Sequence, residues 1–266
     1  MAPDDAPPPL TFDTLDAQDE RRDAMALVAD SIAQQRQVAS LAIIFHPVCL
    51  ASLVAASALV WRRNSDVGTS LTAVCGLVMA YLAAVRLVTS RFIGLAEGFR
   101  WQSFLSAPET DSGTNQDIVI AARFGDELIG TLVLRLLPPP TLHDAASAAS
   151  QQTMSPKPPA SDKTANPTLE GGSGLIRAWT TKLRYRNRGI GADLLRFAVA
   201  ATRSVCGDSA PVSFASDHAN SALPLPAMFT RPFVTRNQKA ASALDHALGD
   251  YHDGLRSFKQ ASAPAT

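Results

Sequence analysis

From Val38 to Trp61, twenty-four consecutive residues carry no acid or base except His46, and nineteen more from Val67 to Val85 carry none. A helix rises about 1.5 Å per residue and a bilayer core is about 30 Å thick, so each stretch is long enough to cross. Only Arg62-Arg63-Asn64-Ser65-Asp66 separates them. The pair reads as a transmembrane helical hairpin over residues 37–90 with both ends on one side. A helical pair buried in a soluble fold is the competing reading. Small residues such as Ala55, Ala56, Gly76 and Ala80 allow close helix contact in lipid. Charged residues make up 18% of the chain, against about 25% in an ordinary soluble domain, and the two stretches account for the deficit.

The stretches begin too late, and are too many, for a cleaved signal peptide. Arg21, Arg22 and Arg36 precede them and Arg86, Arg91 and Arg100 follow, which favours cytoplasmic ends. The expectation is a multi-pass protein of an endomembrane such as the endoplasmic reticulum, contacting membrane lipids, with the remaining fold in the cytosol. His46 lies about two turns into the first stretch and reads as structural or interfacial, with Pro47 kinking the helix.

Lysine plus arginine equals aspartate plus glutamate, 24 each, so no global field draws the chain to nucleic acid. Cys49, Cys75 and Cys206 show no CxxC and no histidine spacing, so neither a metal site nor a disulfide framework is expected.

Outside the hairpin, residues 1–9 read as a disordered terminus. Leu10–Leu15 alternates as a strand, and Asp16 can cap a helix over 17–35. Asp117–Phe124 and Leu128–Leu137 flank a Gly125-Asp126-Glu127 turn, the signature of a β-hairpin. Residues 138–173 are rich in proline, alanine and serine and read as a disordered insertion. A fourth strand runs from Gly174 through Tyr185, a helix covers 193–202, and Pro211–Ser216 forms a fifth strand. A last helix covers 238–248 with Gly249 as its stop, and 253–266 reads as a flexible tail. The fold class is α/β (α+β), a mixed central sheet flanked by helices.

Between the fourth strand and its helix stands Arg186-Asn187-Arg188-Gly189-Ile190-Gly191-Ala192. Glycines let backbone approach an anion, and a helix N-terminus aims free N–H groups and positive dipole at it. Neither GxGxxG nor GK[ST] is present. The R-x-x-G-x-G-A pattern resembles the acyl-coenzyme A loop of the GNAT superfamily of N-acetyltransferases, over about twenty-five residues from Leu175 to Ala200. The element order extends the likeness. A strand and helix ahead of a membrane segment is the arrangement of the camello-like membrane-bound members.

The resemblance implies acetyl-coenzyme A as co-substrate, its pyrophosphate bound by backbone N–H groups of Arg188, Gly189, Ile190, Gly191 and Ala192, with Arg186 opening the motif. The pantetheine arm would pair with strand four where it splays from strand five, with Leu183 and Tyr185 facing the thioester. Asn220 matches the asparagine that follows strand five in the family. Phe229 falls near a position usually held by a tyrosine that protonates the departing thiolate, and prolines replace the helix around it. Asp217 and His218, after strand five, are the candidate general bases for a small-molecule or protein amine acceptor; a plain turn is the alternative. The implied domain comprises residues 10–36, 91–137 and 174–252. The implied activity is acetyl transfer to an amine by direct attack. A catalytically degenerate relative that binds acyl-coenzyme A or a partner is the alternative.

Overall fold

The computed structural model describes residues 8–105, 117–139 and 169–261. Residues 1–7, 140–168 and 262–266, which hold most of the expected disordered terminus, the proline-rich insertion and the end of the tail, lie outside the described residues. The chain divides into two compact units: Met1–Met25, Trp101–His218 and Ala243–Thr266 form the first, Ala26–Arg100 and Ala219–Ser242 the second. Two of the four boundaries fall inside long helices, Gln18–Ile44 and Arg231–Ala261, so each of these contributes residues to both units.

The first unit holds a five-stranded sheet in the order β1-β2-β3-β4-β5. Strands β1 (Leu10–Thr14), β2 (Asp117–Phe124), β3 (Glu127–Leu137) and β4 (Ser173–Thr181) pair antiparallel, and β5 (Val212–Phe214) pairs parallel to β4. The β2–β3 hairpin forms where the Gly125-Asp126 signature placed it, with Gly125 at φ +61°. Parallel pairing requires a crossover, and helix α6 (Ile190–Cys206; α1 to α5 are placed below) supplies it.

Alternation sorts the strands into two faces. Ile120, Leu132, Leu134, Ile176 and Val212 form one apolar core with Leu194, Leu195, Ala198 and Val199 of α6 and Leu244 and Ala247 of the last helix, α7 (Arg231–Ala261). Val119, Ala121, Val133 and Ala178 are buried on the opposite face. Gly174 is where α6 comes nearest: a Cβ there would sit 2.3 Å from the Thr202 hydroxyl. Helix α1 (Gln18–Ile44) starts in this unit, tied down by the Arg123–Glu20 pair at 2.7 Å and by Arg21 donating to the Leu15 carbonyl.

The second unit contains the rest of α1, then α2 (Pro47–Arg63), α3 (Val67–Thr89), α4 (Arg91–Glu97) and the stretch 219–242. A short helix α5 (Trp101–Leu105) belongs to the first unit. The first charge-free stretch is not one helix. Pro47 lacks an N–H and cannot continue α1, so the chain breaks at Phe45-His46 and α2 restarts with a 55° bend. The Tyr81 hydroxyl lies 3.2 Å from the carbonyls of both Ile43 and Ile44; the Ile43 carbonyl, whose α-helical donor would have been Pro47, also accepts the His46 N–H at 3.1 Å. The stretch Val67–Glu97, α3 followed by α4, is long and apolar enough to cross a membrane. Asp66 caps it, accepting from the Thr69 N–H at 2.7 Å. Helix α2 has 17 residues, none of them buried.

At the base of this unit Phe92 stacks on Phe233 at 6.2 Å, with Ala39, Val38, Leu223 and Leu225 around them. Two further differences from the sequence reading concern α7. It begins at Arg231, because Thr230 and Pro232 open it well, and it passes through Gly249 to Ala261. Leu248 and Tyr251 pack on the sheet core on either side of Gly249, so burial of that face overrides the glycine as a stop, and 253–261 is helical rather than a loose tail.

Candidate functional site

Strands β4 and β5 share three paired residues, Gly174↔Val212, Leu175↔Ser213 and Ile176↔Phe214. One more bond, from the Ala215 N–H to the Ile176 carbonyl at 2.9 Å, closes the ladder. Beyond it β4 continues from Arg177 to Thr181 with no strand paired on its β5 side among the described residues. The divergence has a local cause. The β3–β4 register shifts between Val133 and Leu134, so that Val133 faces Ala178 while Leu134 faces Ile176. Arg177 is the extra residue, and a bulge of this kind bends its strand and increases its twist.

The bulge turns Arg177 onto a buried carboxylate. Asp117 has a side chain 1% exposed and accepts from Arg135 at 2.7 and 2.8 Å and from Arg177 at 2.6 Å. Arg177 also donates to the Phe104 carbonyl, lies 4.2 Å from the Phe104 ring and reaches to 3.9 Å from Asp217. Two guanidinium groups on one carboxylate fix the bulge in place.

The free edge of β4 leads directly into the glycine turn. The strand ends at Thr181, where the sequence reading had continued it to Tyr185. Residues Leu183–Tyr185 instead form a single 3-10 turn. Leu183 is 58% exposed. Tyr185 donates its hydroxyl to Glu127 at 2.8 Å, and Lys182 pairs with the same carboxylate at 2.9 Å. Neither Leu183 nor Tyr185 therefore extends the open strand edge; their alternation belongs to the turn. Lys182 and then Tyr185 hold the Glu127 carboxyl below its ordinary value, and Glu127 in return raises that of the Tyr185 hydroxyl.

Arg186 points back to the Thr181 carbonyl at 3.1 Å. Asn187 (φ 60°) and Gly189 (φ 88°) both take left-handed backbone, which brings the chain sharply round into α6. Gly189 is the N-cap and has no side chain to satisfy the helix. Among the described residues, the N–H groups of Gly189, Ile190 and Gly191 have no acceptor, whereas Ala192 donates to the Gly189 carbonyl at 2.8 Å. Ala192 thus drops out of the expected set of anion donors. Arg188 is exposed, its guanidinium 5.8 Å from the Tyr185 ring.

The two glycines are small for different reasons. A Cβ on Gly189 would meet nothing within 4 Å, so its surroundings are open and only its φ demands glycine. A Cβ on Gly191 would lie 3.0 Å from the Trp179 indole, whose N–H donates to the Gly191 carbonyl at 3.1 Å. Trp179 thus props the first turn of α6 from beneath, and its ring lies 5.9 Å from that of Phe214.

Asp217 and His218 follow β5. The Asp217 side chain is 72% exposed. His218 donates its backbone N–H to Ala215, and its Nδ1 is buried without a hydrogen-bond partner. Burial holds its imidazole below the ordinary histidine value, which keeps the ring neutral, the form a base requires. Asn220 and Phe229 belong to the second unit. The Asn220 carboxamide oxygen accepts from Ser31 at 3.3 Å and its carbonyl from Gln35 at 3.4 Å. Phe229 meets His46 edge to face at 5.0 Å. These partners are far away in sequence, and a match of short motifs after strand five could not anticipate them. Sequence reasoning also missed Arg177, Asp117 and Trp179; the signal available was a charge within or at the start of an apolar strand for the first two, and none for Trp179.

Among the described residues no group of three or more His, Cys, Asp or Glu is placed to hold a metal ion. No protein-family model, no curated protein and no solved structure matches this chain.

Proposed function

We propose that this protein is a membrane-anchored acyltransferase of the N-acetyltransferase kind, moving an acetyl group from acetyl-coenzyme A to an amine. One observation carries the reading: an open strand edge, Arg177–Thr181, runs into a turn whose Gly189, Ile190 and Gly191 N–H groups lack acceptors. An extended amide-bearing arm is the natural partner of such an edge, and a diphosphate of such a turn. Coenzyme A carries both, in that order. The amine would attack the thioester carbonyl directly. The C–N bond forms as the C–S bond breaks, the thiolate takes the electron pair, and the amine's proton passes to a base. His218, neutral and with a vacant Nδ1, suits that role better than the exposed Asp217, which can instead attract a cationic amine.

The anchor is the α2–α3 pair. Its outward residues, among them Val54, Leu59, Leu71 and Met79, are more than half exposed, which water disfavours and lipid does not. Strand β1 precedes this pair and hydrogen-bonds to β2, which follows it. Both therefore lie on one side of any membrane, and the number of crossings between them must be even. A two-leg hairpin satisfies that parity, with α3 as one leg and α2, about 26 Å long by helix rise, as the return leg. Such a hairpin suits an endomembrane such as the endoplasmic reticulum, with the sheet in the cytosol beside its acetyl-coenzyme A.

A second reading, binding without turnover, is favoured by Phe229, which offers no hydroxyl and is engaged with His46. Equilibrium dialysis of the full chain with acetyl-coenzyme A, followed by radiolabelled acetyl transfer to amines and lysine peptides, separates the two. Retention with transfer supports the enzyme, and retention without transfer the binder. Loss of retention in Arg188→Glu is expected under both; no retention by the unaltered chain refutes both.

A further inference from the structure

Two aromatic rings stand beneath the β4–β5 divergence, and their position bears on the acyl group. Laid along the free edge from the turn, a coenzyme A arm covers Thr181 back to Arg177, five residues or about 16 Å at strand rise. Its thioester then arrives at the vertex, where Ile176 pairs with Phe214 and the Ala215 N–H closes the ladder on the Ile176 carbonyl. Of the two faces at that vertex, the one toward α6 carries Trp179 and Phe214, their centroids 5.9 Å apart and both packed on the sheet core. Trp179 cannot swing away cheaply, because its N–H is bound to the Gly191 carbonyl and its ring lies against Gly191. The other face carries the Arg177 guanidinium, pinned on Asp117, with Asp217 beyond it. An alkyl chain meets two packed rings on one side and fixed charge on the other.

We infer that Trp179 and Phe214 form a floor that restricts the donor to an acyl group of about two carbons, making them the specificity-determining residues of the site. This rests on the acyl-coenzyme A reading above. A site with an apolar channel gains about 0.8 kcal/mol, or nearly 4-fold in affinity, for each added methylene. A closed floor reverses the sign, at roughly 10-fold or more lost for each methylene that does not fit.

The test uses the full chain in detergent and compares its affinities for acetyl- and hexanoyl-coenzyme A by equilibrium dialysis. The unaltered protein should bind the hexanoyl compound at least about 100-fold more weakly than the acetyl compound. Phe214→Ala should bring the ratio of the two affinities to within about 10-fold, and Trp179→Phe should shift it in the same direction by less. The ratio is insensitive to partial loss of folded protein, since unfolding weakens both ligands alike. Should Phe214→Ala not accumulate, Phe214→Val keeps a strand-forming residue and carries the same expectation. A ratio near one in the unaltered chain overturns the inference, as does a large ratio that neither variant changes. In both cases acetyl-coenzyme A is still retained, so the proposed function survives; an unaltered chain that binds neither compound overturns both.

Discussion

Removing the Asp117 carboxylate should damage the sheet more than removing any other single polar group on it. Asp117 is buried to 1% exposure and neutralises two guanidinium groups, Arg135 through two contacts of 2.7 and 2.8 Å and Arg177 through one of 2.6 Å. In Asp117→Ala both cations stay, at 11% and 9% exposure, with their shared counter-ion gone. Breaking a buried pair from one side costs about 3–5 kcal/mol, mostly the penalty of the charge left behind. At about 2–4 °C per kcal/mol for a domain of this size, Tm should fall by roughly 6–20 °C. Arg135→Met is the control. It leaves Asp117 with Arg177, so only hydrogen bonds to a charged group are lost, at about 1.5–3 kcal/mol. The readout is Trp179 fluorescence during thermal unfolding, in a Trp61→Phe, Trp101→Phe background, because Trp179 sits in the same sheet. Asp117→Ala costing under about 1 kcal/mol, or less than Arg135→Met, would refute the argument that this carboxylate is what pins the bulge.

The two glycines of the turn should respond differently. Gly189→Ala meets no neighbour but strains a φ of 88°, costing about 1–2 kcal/mol, while Gly191→Ala drives a methyl to 3.0 Å from the Trp179 ring, and the Trp179→Phe background should relieve only the second; denaturant midpoints of the four chains decide. The folded-state value of His218 is depressed by burial, so the unfolded chain takes up its proton first. Its stabilisation is complete above the ordinary histidine range, near 6.5, and shrinks as pH falls below it; midpoints at pH 7.5 and 5.5 should differ less in His218→Gln than in the unaltered chain, and equal differences would count against the burial argument. For the hairpin, a cysteine at Ser65 in a chain lacking Cys49, Cys75 and Cys206 should react with an impermeant maleimide only from the side of the membrane opposite to one at Asp13. Labelling of both from the same side would exclude crossing.

Most of the sheet was legible because its signals are local. The Gly125-Asp126 turn fixes the β2–β3 register, and the apolar spacing of Leu194, Leu195, Ala198 and Val199 on a helix is visible without knowing what it packs against. What was not legible depends on partners distant in the chain. Leu183 and Tyr185 keep the alternation of β4, and only the Glu127 carboxylate, 58 residues away from Tyr185, shows that the strand has already ended. Asn220 satisfies a short motif, but its carboxamide answers to Ser31, 189 residues away. The Arg177 bulge is a property of pairing between strands and has no signature in β4 alone. Pro47 was a visible interruption; that the Tyr81 hydroxyl meets the carbonyls at the break depends on a partner distant in the chain and has no local signal.

The pairing of Leu10–Thr14 with Ile120–Phe124 has a consequence for biogenesis. The first strand leaves the ribosome well before its partner and stays unmatched while the whole apolar stretch between them is synthesised. Under the hairpin proposed above, sheet assembly would be gated by insertion, and a failure of targeting would leave a nascent chain with an orphaned leading strand and a bare apolar pair, the kind of species that quality control removes.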